Sequence, residues 1–266
     1  MSSRERHLFI FEGSKTEPKY AAMLERNFMG ERVAVKTAFE AEIYQLYKLL
    51  KADDFALDIV NLLKERNPEN ARRLEGFTRD SFAYVYLFFD YDAHSSLADD
   101  AKISELLSFF NNETEHGMLY LSYPMVEAIR HYRDLAHFKD LTVKCKRANC
   151  PFLNHCDRAR ECLKEPHYKT VVATECRKQL NNINGFTRTV WQELIGAHVS
   201  KMNFLVNDRF ELPRHIVSQL TIFNKQLEKH ISHKCPSVAV LSAFPLYALD
   251  YYGAEKLAQR LQPAQG

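Results

Sequence analysis

The sequence predicts an α/β fold, a parallel sheet with helices on both faces, followed by a mainly helical C-terminal half. Three observations predict it. Over roughly the first 130 residues, short apolar runs alternate with stretches of helical periodicity, the mark of successive strand–helix units. One of those runs, residues 82–90, is apolar at almost every position, as a strand covered on both faces must be. Beyond about residue 138, strand patterns give way to helical ones.

Residues 7–12 (HLFIFE) read as a short apolar strand. Gly13 and Ser14 turn the chain, and Thr16 is placed to cap a helix with Glu17 and Pro18 in its first turn. Tyr20, Met23, Leu24 and Phe28 recur at helical spacing, which carries that helix to Phe28 before Gly30 ends it. Residues 32–39 alternate at period two and form a second strand. Residues 41–66 are helical in pattern, divided by Asp53 and Asp54, and 67–76 form a polar connection. Residues 82–90 are the third strand, 97–110 an amphipathic helix, and 117–123 a fourth strand. Pro124 then stands at the first position of a helix, with Glu127 in its opening turn. Further on, 166–206 and 212–232 are mainly helical with breaks at Gly185 and Pro213, and a last helix begins near Pro245.

The composition is 46% hydrophobic, enough for a sizeable core, and no apolar run reaches the ~18–20 residues of a membrane span. The first residues are too charged for a signal peptide, so a soluble cytoplasmic protein is expected. The net charge of +2 gives no global nucleic-acid signature. Basic residues do gather locally: Lys144, Lys146, Arg147, Arg158, Arg160, Lys164 and Lys169. Cys145, Cys150, Cys156 and Cys162 lie in the same segment, interleaved with His155. Their C-x4-C-x5-C-x5-C spacing lacks the tight pair usual in zinc sites. Structural Zn2+, an iron–sulfur cluster and free thiols therefore stay open. Cys176 and Cys235 stand apart and are read as core positions.

The chemistry lies at the strand exits. Glu12 closes the first strand, Asp90 and Asp92 close the third, and Glu127 follows the fourth. Ligands of open parallel sheets bind just beyond the carboxyl ends of the strands. Neighbouring strands ending in this way would gather hard oxygen donors suited to Mg2+ or Mn2+ rather than zinc. Asp90 and Asp92 can both reach one ion if the chain stays extended between them. Gly13, beside Glu12, lets backbone approach a phosphate closely. Lys15 can steady a phosphate as a point charge, and His94 can transfer protons. Glu17 reads as first-turn helix stabilisation.

In this order and at these places, FEG (Glu12) and DYD (Asp90, Asp92) resemble the Toprim fold of topoisomerases, bacterial primases and small nucleases. EGSKTEPKY and FDYDAH look more narrowly like the stand-alone Toprim proteins of phage defence, the RloB-like group and the AriB-type effector that pairs with an ABC-class ATPase. The former carry an N-P-x-x-E stretch after a strand; here Tyr123-Pro124-Met125-Val126-Glu127 keeps the Pro and Glu without the Asn. The resemblance covers about residues 7–135. It implies a Toprim-like catalytic domain over 1–138, with the Cys-rich basic insert and helical region over 139–266. It also implies Mg2+ on Asp90 and Asp92, with Glu12 completing the ion site or acting as general acid or base.

The leading expectation is a Mg2+-dependent nuclease acting on RNA, tRNA among the candidates, or on DNA. By resemblance it would be the toxic effector of an antiphage abortive-infection system, restrained by an ATPase partner or by homodimerisation. No Walker A, G-x-S-x-G or H-E-x-x-H motif is present, so ATP dependence would come from the partner. Two alternatives are a housekeeping Toprim-type RNase or maturase, and a non-catalytic nucleic-acid-binding module built on the Cys-rich segment.

Overall fold

The computed structural model describes residues 5–30, 34–144, 167–233 and 235–262. The cysteine cluster Cys145, Cys150, Cys156 and Cys162, with His155 and most of the basic segment, lies outside the described residues.

The main sheet is built from β1 (His7–Phe11), β2 (Ala34–Ala38), β3 (Tyr84–Asp90), β4 (Asn111–Asn112) and β5 (Gly117–Ser122). Their order is β2-β1-β3-β5-β4, with β4 the antiparallel edge and the others parallel. β1 and β3 are therefore neighbours, in the register Phe11 opposite Phe88, and β3 pairs with β5 so that Asp90 lies opposite Ser122.

Successive side chains of a strand point to opposite faces, and here the two faces differ in kind. Phe9, Phe11, Tyr86, Phe88 and Tyr120 make one face aromatic. Leu8, Ile10, Val85, Leu87, Leu119 and Leu121 make the other mainly aliphatic, and all six are fully buried. On the aliphatic side lie α2 (Ile43–Ala52) and α5 (Asp100–Phe109), and Tyr44 of α2 donates its hydroxyl to the carbonyl of Tyr91. The aromatic side is covered by a helix from the far end of the chain, α10 (Ala243–Leu261). Its Phe244 stacks on Phe88 at 5.1 Å, and its Tyr247 meets Phe9, Tyr86, Phe88 and Tyr120.

Several elements differ from the sequence reading. α1 (Thr16–Leu24) begins at Thr16, with Lys15 rather than Thr16 at the cap, and relaxes into a wider π turn over Glu25–Met29. The polar connection at 67–76 contains a short helix, α4 (Pro68–Arg73), after α3 (Ile59–Arg66). Its cause is local: Asn67 accepts a hydrogen bond from the Asn70 N–H and Pro68 takes the first position. Pro124 does not open a regular helix. A 3-10 turn covers Val126–Arg130, and α6 (Leu135–Asp140) starts afresh on its own cap, Asp134. The helical stretches beyond are shorter than their periodicity suggests. They are α7 (Tyr168–Glu175), α8 (Arg188–Asn207) and α9 (Gln219–Gln226). The pair β6 (Thr142–Lys144) and β7 (Ser237–Ala239), unseen in the sequence, is antiparallel. Cys176 is buried as expected, whereas Cys235 is exposed, so its reading as a core position is corrected. No helix among the described residues is long and apolar enough to cross a membrane.

Candidate active site

Parallel pairing brings the exits of β1, β3 and β5 to one edge of the sheet, and the acids follow. Beyond Phe11, the Glu12 N–H donates to Phe88 O, continuing the ladder by one rung. That rung turns the Glu12 side chain back over β3, where Oε2 accepts the backbone N–H of Asp90 at 3.1 Å. Asp90 ends β3 and is 5% exposed.

The chain does not stay extended through Asp92, which was the condition for Asp90 and Asp92 to reach one ion together. Tyr91 N–H bonds Ser122 O, and Asp92 takes a positive φ of 42°, a conformation Asp tolerates better than most residues. Asp92 is nonetheless 6% exposed, and its charge acts on Glu12. His94 places Nδ1 2.8 Å from Asp92 Oδ1 while its ring stays largely in solvent. Glu127, on the 3-10 turn after β5, is also 6% exposed. Its Oε1 lies 3.5 Å from Lys169 Nζ, and Oε2 receives no hydrogen bond among the described residues.

Lys15 stands with its side chain exposed at the start of α1. The basic group that meets a site carboxylate is instead Lys169 of α7. Arg130 is a second cation here, acting on the phenols of Tyr20 and Tyr168 and donating to Asn181.

The structure adds acids that the motifs did not single out. Glu17 is 8% exposed, and a methyl group on Gly13 would sit 3.2 Å from its Oε2. It folds back over the Gly13 turn into the same cluster instead of merely facing solvent in the first helical turn. Glu42, at the start of α2, adds negative charge near Glu12 while accepting a hydrogen bond from Ser95. Spacing gave no signal for either, because each belongs to a helix start where an acid already has an ordinary role.

The electrostatic consequence is strong. Burial raises Glu12 to about 8, opposed by the Asp90 N–H and reinforced by Asp92, Glu17 and Glu42. Asp90 is pushed well above the usual carboxylate range by burial, then by Glu12 and Glu17, with Glu127 adding to the rise. Glu17 is raised chiefly by burial, offset in part by hydrogen bonds from its own N–H and that of Gly13 and, less, by Lys169. Buried carboxylates that raise one another in this way are short of positive charge. All these donors are hard oxygens, the chemistry that Mg2+ or Mn2+ takes. Among the described residues, no group of three or more His, Cys, Asp or Glu side chains is placed to hold a metal ion. The fit rests on donor type, shared burial and the unbonded Glu127 Oε2.

Comparison of the chain with models of known families, with curated proteins and with solved structures finds no match.

Proposed function

We propose that the chain is a divalent-metal-dependent nuclease, with Mg2+ or Mn2+ held by Asp90 and Asp92 and with Glu12 either completing the ion site or acting as general acid or base. The observation that carries this reading is that Glu12 and Asp90, at the carboxyl edge of the sheet, are both raised by burial and by the charges of acids near them, Asp92, Glu17 and Glu127 among these. When bound, the ion would supply Lewis-acid stabilisation of charge on phosphoryl oxygens and a more acidic bound water. The protein's own groups have separable tasks. The backbone of Asp90 is held by the strand end and by its N–H to Glu12, and its carboxylate accepts the N–H of Val126. Glu12, raised toward neutrality, is suited to carry a proton at its carboxyl oxygen as general acid or base. Lys169 and Arg130 present positive charge on the Glu127 side, where a phosphate backbone can lie. His94, exposed and in contact with Asp92, can pass protons between the site and solvent.

The substrate class we favour is RNA, tRNA first, with DNA as the alternative. By the resemblance noted above, the activity would serve as a defence effector controlled by an ABC-class ATPase, with a cytoplasmic location. The test incubates the purified chain with total tRNA or plasmid DNA in Mg2+, Mn2+ or EDTA, beside Asp90→Asn. Cation-dependent cutting that Asp90→Asn abolishes supports the proposal and identifies the substrate. Cutting that survives Asp90→Asn, or none with either substrate in any cation, overturns it.

A further inference from the structure

A second cleft lies at the opposite end of the sheet, where the strands begin. It has a volume of about 710 Å3, within the ~300–1,000 Å3 range of small-molecule sites. The sequence explains why it is open. α10 covers the aromatic sheet face as far as Tyr247, but Gly253 then takes φ 72°, ψ 161° and breaks the helical path. A residue with a side chain would resist that conformation. Beyond the kink, Tyr252, Lys256, Gln259 and Arg260 line the cleft together with the half-buried ring of Tyr84, while Tyr86 next to it is 6% exposed and packed against Tyr247.

Tyr84 and Tyr86 are two apart on β3, with rings 6.4 Å apart and within 9° of parallel. Tyr120 and Tyr251 also line the cleft. Asp250 is set into it; the Tyr120 hydroxyl and the Gln219 amide act on its carboxylate, and its Oδ1 receives no hydrogen bond among the described residues. Glu5 and Glu113 stand on the side of Tyr84, close enough for both to act on its phenol. Positive charge is present at Lys256 and Arg260. Arg260 is committed elsewhere: it donates to Phe28 O and lies 4.4 Å over the Tyr252 ring. Lys256 is exposed. The interior therefore offers the ring of Tyr84 and a carboxylate oxygen, with further carboxylates beside them. Aromatic faces attract cations through their quadrupole, and the attraction grows when the site is desolvated.

We propose that this cleft is a binding site for an organic ammonium ion, with the ring of Tyr84 and the carboxylate of Asp250 as its recognition elements. Burial raises Asp250 to about 7, so a cation entering the cleft would favour its ionised form. The site is independent of the carboxylate cluster at the other end of the sheet.

The test is isothermal titration calorimetry of the full chain with spermidine, choline and adenosine, at pH 8 and low salt. Saturable binding of spermidine or choline is expected, at least tenfold weaker in Asp250→Asn and in Tyr84→Leu. Spermidine alone would mark a linear polyamine, choline alone a compact quaternary head. Glu113→Gln, at the rim, should weaken binding only severalfold, and keeps the test informative if Tyr84→Leu does not fold. No saturable heat with either ammonium probe at millimolar concentration would overturn the proposal. So would ammonium binding unaltered in Asp250→Asn, or binding of adenosine alone.

Discussion

The side chain of Glu12 accepts the backbone N–H of Asp90, a residue 78 positions later in the chain. The bond ties the end of β1 to the end of β3 through a carboxylate rather than through the ladder. It is also the contact that holds the Glu12 pKa down against burial and its acidic neighbours. The same geometry can serve structure and chemistry, and substitution separates the two.

Glu12→Gln keeps an oxygen for the Asp90 N–H but removes the charge. In the absence of divalent cations its stability should equal or exceed that of the wild type, by up to about 1–2 kcal/mol in urea unfolding. Cleavage should fall about 100-fold or more. Unfolding of this variant under conditions where the wild type is folded would make Glu12 a structural residue only.

Mg2+ or Mn2+ should raise the thermal midpoint, because an ion that binds only the folded state stabilises it by mass action, about 2.7 kcal/mol at 100-fold over Kd. Asp90→Asn and Asp92→Ala should each lose most of that rise while folding at least as well as the wild type without metal. Differential scanning fluorimetry against cation concentration reads both. An equal rise in wild type and both variants would place the cations elsewhere on the surface.

Lys201 predicts a pH dependence remote from the acidic site. It is 2% exposed, donates to the carbonyl of Leu141 and lies over the ring of Phe138. Burial lowers it from 10.5 to about 7. Between those values the unfolded chain holds more protons, so this group makes stability rise with pH from about 7 to 10.5; below 7 its penalty is fully present. His198, lowered by burial to about 3, acts in the same sense between 3 and 6.5. Lys201→Met should therefore stabilise the protein at pH 6, by about 1–4 kcal/mol, and by progressively less toward pH 10. Leu141 O keeps a second donor, the N–H of Val240, so the substitution strands no acceptor. Denaturant titrations at pH 6, 8 and 10 give the slope; an effect constant across them would remove the titration argument.

Asn67→Ala tests the helix that composition hid. It removes the acceptor for the Asn70 N–H and should cost about 1 kcal/mol. Asn67→Asp should recover most of it. A loss below a few tenths of a kcal/mol would mean that α4 is held by its packing against β2 instead of by its cap.

Local pattern carried much of this architecture. β1, β3 and β5 were legible because they are short apolar runs bounded by turns, and β2 because it alternates at period two. α2, α3 and α5 were legible because their apolar positions recur at helical spacing. Where pattern failed, the competing cause is identifiable. Residues 67–76 are polar, yet a cap and a proline suffice for a short helix there. MVEAIRHYRDL has helical spacing, yet the chain forms a 3-10 turn and restarts at Asp134. β6 and β7 are three residues each, too short for periodicity to register, and each exists because the other is opposite.

By itself the sequence determined that strands would end on Glu12 and Asp90, that Asp92 and Glu127 would follow strands, and that all these acids are hard oxygen donors. Those are properties of residues and their near neighbours. Only the tertiary structure decided that β1 and β3 lie side by side, that Glu17 turns inward over Gly13, and that Lys169, not Lys15, meets a site carboxylate. It alone decided that the helix beginning at Ala243 returns to cover the aromatic sheet face and kinks at Gly253. Such pairings join residues tens to hundreds of positions apart. Their energies come from burial and charge between elements, which no window of local sequence contains.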